Sequence, residues 1–71
     1  MTDSELRAQS FEIAFNVLQK SGDLGDPQEA AHLLLRKIDD MMRKGERRRL
    51  LLSNVAIDAY RSRHQLLVLA S

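Results

Sequence analysis

Apolar residues recur along this chain at the 3.6-residue period of amphipathic helices, in three successive stretches. In the first, Phe11, Ala14, Phe15 and Leu18 keep the spacing of one helical face, while Leu6, Ile13 and Val17 form a second stripe well over a quarter turn away. Thr2 and Glu5 stand three residues apart ahead of that pattern, the spacing of a capping box, so a helix is predicted over about residues 3–20. Ser21-Gly22-Asp23-Leu24-Gly25 ends it, with two glycines in five positions.

Asp26-Pro27-Gln28-Glu29 is the strongest start signal in the chain. Asp26 is placed to cap, Pro27 fits a first helical position whose amide has no partner, and Glu29 stands where a capping box needs it. Ala31, Leu34, Leu35, Ile38, Met41 and Met42 then make one wide apolar face, and a second helix is predicted over 27–44. Arg43 and Lys44 suit the negative end of its dipole, and Gly45 a left-handed cap.

A third helix is predicted over 46–64, with Leu51, Leu52, Val55, Ala56, Ala59 and Tyr60 as its main stripe and Leu50 and Ile57 on another side. Nothing after Gly45 is a strong N-cap, so helices two and three merged into one is the alternative; a tolerated glycine costs about 1 kcal/mol relative to alanine. Projecting the second stripe forward meets Arg49 and Arg63 beside Leu52, Ala56 and Tyr60, and that interruption favours a turn. The apolar tail Leu66-Leu67-Val68-Leu69-Ala70 is expected to extend helix three or pack on the bundle. No segment alternates with period two. The expected fold is all-α, a small three-helix bundle in one domain spanning residues 1–71.

Composition agrees with this picture and narrows the chemistry. At 71 residues and 8.1 kDa there is room for one core. Hydrophobic residues at 44% and charged residues at 30% are globular values, which excludes a disordered chain or a fibre. No apolar run approaches the roughly 20 residues that cross a bilayer, and Asp3, Glu5 and Glu12 do not suit a signal peptide. The absence of cysteine excludes disulfides and thiolate chemistry. A small cytoplasmic protein of bacterial style is the expectation.

His32 and His64 are 32 residues apart and neither has a second ligand at i+3 or i+4, so no metal site is expected. His32 is expected half-buried beside the second stripe, and His64 solvated. Asp39 and Asp40 diverge by about 100° on a helix and are read as surface partners of Arg43 and Lys44, each four residues on. Neither a nucleophile elbow nor a glycine-rich phosphate loop occurs, so no enzyme and no cofactor are expected.

Charge is the most informative polar feature. Residues 1–29 carry a formal −4 and residues 30–71 a formal +5, so the acidic half can fold back on the basic half or meet it in a second copy. A domain this small, with no disulfide, has a thin stability margin that self-association would widen. Helices one and three each carry two stripes, and the second is buried either inside the bundle, where one helix sits between the others, or at a surface that meets a partner. The expected function is therefore a protein–protein interaction or self-association module, most simply a homodimer, with Leu6, Ile13, Val17, Leu50 and Ile57 as its interface. The alternative is a nucleic-acid-associated regulator that contacts an anionic partner through Arg43, Lys44, Arg47, Arg48 and Arg49. Against it stand a net charge of only +1, no interleaved aromatic for base stacking, and no convincing helix-turn-helix around Ser53-Asn54.

Overall fold

The hydroxyl of Thr2 accepts the amide of Glu5 at 3.2 Å, forming the predicted cap, while the Glu5 carboxylate takes the Thr2 hydroxyl at 3.2 Å instead of the Thr2 amide that a full capping box requires. Helix α1, Asp3–Ser21, follows from it. The computed structural model describes the backbone of residues 2–70 and the side chains of residues 2–63. At the far end of α1, Gly22 adopts φ 78°, its amide donates to the Gln19 carbonyl, and the Asp23 amide reaches back to the Leu18 carbonyl at 3.0 Å. These are the paired bonds of a Schellman stop, which glycine makes without a Cβ penalty.

Helix α2, Pro27–Arg43, starts with Asp26 as its cap, the carboxylate accepting the Gln28 amide at 3.1 Å, whereas Glu29 pairs with Arg63 and does not complete the expected capping box. It ends in a second Schellman stop: Gly45 at φ 99° donates to Met42, and Glu46 donates to Met41. Helices two and three are therefore separate, as the interrupted stripe implies. Helix α3 runs Arg49–Ala70, which corrects both predicted ends. Its start moves from 46 to 49 because the chain leaving a left-handed glycine needs several residues to reverse. Its end moves from 64 to 70, so the tail does extend the helix; the packing of Leu66, Leu67, Val68 and Leu69 lies outside the described side chains, as does His64.

The three helices pack pairwise around one core, and among the described residues there is no strand. On α1 the buried residues are Leu6, Ser10, Ala14 and Leu18, each four after the last. On α2 they are Ala30, Leu34, Ile38 and Met42 with the same spacing, and on α3 they are Leu52, Ser53, Ala56, Ile57 and Tyr60. Two residues read as interface thus belong to the core: Leu6 and Ile57 are each only 5% exposed. Serine hides both from a hydropathy reading, since Ser10 links Leu6 to the α1 stripe and Ser53 widens the α3 stripe toward Ile57. Phe11 and Phe15 flank the cluster half-buried, their rings tilted with centroids 5.4 Å apart.

Candidate functional site

Ion pairs across the helix seams take up half of the acids of residues 1–29. Asp3 takes Arg47 at 3.2 Å, Asp23 takes Arg61 at 3.0 Å and Glu29 takes Arg63 at 3.6 Å, each pair joining the acidic half to the basic half of the same chain. Between α1 and α2, Arg7 holds Asp39 through two parallel hydrogen bonds, the longer at 3.1 Å. The Asp39 carboxylate, mainly by hydrogen bonding, raises Arg7 above the ordinary guanidinium value. Asp39 therefore does not serve Arg43, its expected partner, whereas Asp40 does reach Lys44 at 3.3 Å.

The predicted anionic-partner cluster is taken apart by the turn at Gly45. Arg47 donates to the Met42 carbonyl at 2.7 Å and the Glu46 carbonyl at 2.9 Å, closing the C-terminal end of α2 while pairing with Asp3. Arg48 binds the Glu46 carboxylate at 2.9 and 3.2 Å. That contact, with the Arg48 and Arg47 amides on the same carboxylate, holds Glu46 down to about 2, and raises Arg48 in return. Arg49 donates to the Gln9 side chain at 2.7 Å, across the α1–α3 seam. Of the five cations, Arg43 alone has no partner among the described residues.

The remaining interface candidates stay outside the core. Ile13 is half-buried, in a shallow concavity shared with Gln9, Glu12, Asn16 and Arg49. Val17 is 40% and Leu50 65% exposed, the large hydrophobic side chains most open to solvent among those described. His32 is exposed rather than half-buried, which places it on the outer side of α2. No cluster of three metal-binding side chains occurs among the described residues.

A second surface feature was not singled out by the sequence. Leu33 of α2 faces Ala59 and Tyr60 of α3 across a groove of about 530 Å³. Arg36, Lys37, Asp40 and Arg43 line its α2 wall. Arg36, Lys37 and Arg43 make no hydrogen bond or ion pair with any described residue, while Asp40 is engaged by Lys44. The signal is present in the sequence as two arginines seven residues apart, but they are split by the apolar stripe and do not form a run. No helix in the described residues is long and apolar enough to cross a membrane. Searches of family models, curated proteins and solved structures find no significant match to this chain.

Proposed function

We propose that this protein is a small interaction module that works by contact with itself or with another protein, in the first instance as a homodimer. The observation that supports this reading is the exposure of Leu50, with Val17 the next most exposed, in a chain that buries leucines at 6, 18, 34 and 52. Burying a leucine is worth about 1.5–3 kcal/mol, so a contact centred on Leu50, Val17 and Ile13 draws its affinity from apolar area. Such a contact is insensitive to salt, because screening acts on charges and not on apolar burial.

Nothing favours the nucleic-acid reading to the same degree. Four of its five cations are engaged within the chain, and Tyr60 is 5% exposed and unable to stack on bases. Sedimentation equilibrium across a wide concentration range tests the proposal. The expected result is a reversible dimer that persists at high salt and is lost in Leu50→Glu, a surface change that leaves the fold intact. A monomer at every concentration removes it.

A further inference from the structure

The groove between α2 and α3 offers apolar and cationic surface together. Its lining carries a formal +2, from Arg36, Lys37 and Arg43 against Asp40, beside Leu33 and Ala59. A free phosphate would use the cations and leave the apolar wall bare. A nucleic acid would need exposed aromatic surface, and Tyr60 is buried with its hydroxyl turned to the Gly25 amide. The occupant that fits is a protein helix bearing carboxylates two turns apart on one face.

The chain itself contains that helix face. Arg36 and Arg43 are seven residues apart on α2, about 10.5 Å along the axis and nearly in line. Glu5 and Glu12 are seven residues apart on α1, with the same axial spacing, and Ala8 lies between them. All three of these α1 residues are exposed, on the side of the helix opposite Leu6, Ser10, Ala14 and Leu18. Glu12 makes no ion pair or hydrogen bond with any described residue, and the Glu5 carboxylate receives only the Thr2 hydroxyl. Two carboxylates and two guanidiniums at matched spacing, with a small side chain between the acids, allow close approach of the two surfaces.

We infer that the groove receives the outer face of α1 from a second copy of this chain, with Glu5 and Glu12 meeting Arg36 and Arg43 and the small Ala8 between the acids letting the two helices approach. This rests on the self-association reading but assigns a different surface from Leu50 and Val17. The α1 face points away from the core on one side, and the groove opens on the flank of α2 away from Asp39, where α1 docks. One copy therefore cannot present both faces to the same neighbour. The contact is heterologous, and each pair keeps one free groove and one free acidic face, so association proceeds head to tail.

Sedimentation velocity of the full chain tests this, with Arg36→Gln/Arg43→Gln and Glu5→Gln/Glu12→Gln as the two variants and circular dichroism to show that both fold. At low salt the wild type is expected to form species larger than a dimer that grow with concentration and fall back to the Leu50 dimer at high salt, because exposed pairs are screened and apolar burial is not. Each variant alone is expected to lose these species. Mixed in equal amounts with Leu50→Glu added to both, the two are expected to stop at a 1:1 pair, since only one intact groove and one intact acidic face remain to meet. Unchanged assembly in either variant overturns the inference. So does assembly that stops at a closed dimer at low salt as well as high, which leaves the proposed function standing. A wild type that is monomeric throughout removes both, and saturation of Arg36 and Arg43 in that monomer by a single-stranded oligonucleotide or a polyglutamate peptide assigns the groove to another partner.

Discussion

The phenolic oxygen of Tyr60 accepts the backbone amide of Gly25 at 3.0 Å, tying the linker between α1 and α2 to the middle of α3. The ring is in the core at 5% exposure, so a residue chosen for apolar burial also fixes where α2 begins. Tyr60→Phe keeps the ring and is expected to cost at least about 0.5–1.5 kcal/mol in a denaturant titration, the net worth of the bond to Gly25. The Gly25 amide should exchange faster in the variant. Unchanged stability and exchange would show that the linker holds its path without this bond.

Leu34 is fully buried at the centre of the α2 stripe, in one cluster with Ile38 and Leu52. Leu34→Ala is expected to lower stability by about 2–5 kcal/mol. Leu50→Ala removes the same atoms from a side chain 65% exposed and should fall within about 0.5 kcal/mol of wild type when both are monomeric. Equal losses at the two positions would contradict the burial of α2's face.

Helix α2 was the most legible part of the chain because one stripe, one cap and one glycine stop all agree. Helices α1 and α3 were harder, and for a shared reason. Ser10 and Ser53 are buried at core positions, and a reading that sorts residues by hydropathy assigns them to the surface. That sorting turned Leu6 and Ile57 into spare apolar surface and made the excess of stripes look larger than it is. Of the surface, Asp40 to Lys44 was legible because it is a local i, i+4 pair. Asp39 was misassigned because its partner Arg7 is 32 residues away, on another helix. Arg43 loses its expected partner through that same long-range contact and lines the groove instead.

Arg7 and Asp39 make a bidentate pair with side chains 43% and 35% exposed. Water reaches both, so a double-mutant cycle on Arg7→Ala and Asp39→Ala is expected to give a coupling of roughly 0.5–1 kcal/mol. The coupling should shrink as salt is added. A coupling of several kcal/mol would mean that the pair is desolvated in solution.

Ser10 is fully buried, and its hydroxyl has no hydrogen-bond partner among the described residues. Ser53, also fully buried, donates to the Leu50 carbonyl at 2.9 Å. Ser10→Ala deletes an uncompensated polar group and keeps the small volume the packing requires. It should therefore raise stability by about 1 kcal/mol. A loss of stability would place a buried water on that hydroxyl.

The Glu46 carboxylate organises the turn from which α3 starts, and it is the group through which acid should act on this end of the molecule. It accepts the Arg47 amide at 3.2 Å, the Arg48 amide at 3.0 Å and the Arg48 guanidinium at 2.9 Å. All of these favour the charged form, led by the guanidinium, and bring the group from 4.5 to about 2 in the folded chain. Because the folded value lies below the unfolded one, its contribution is complete above the unfolded value. It is lost progressively as pH falls from about 4.5 to about 2. Titration of the Glu46 side chain by carboxyl carbon chemical shift should give a midpoint near 2, and Arg48→Gln should move it toward 4.5. Over the same interval the Arg47 and Arg48 amides should lose protection before the core amides of α2 do, because only the turn depends on this carboxylate. A wild-type midpoint at the ordinary glutamate value, with no response to Arg48→Gln, would show that the Glu46–Arg48 contact does not order the turn in solution.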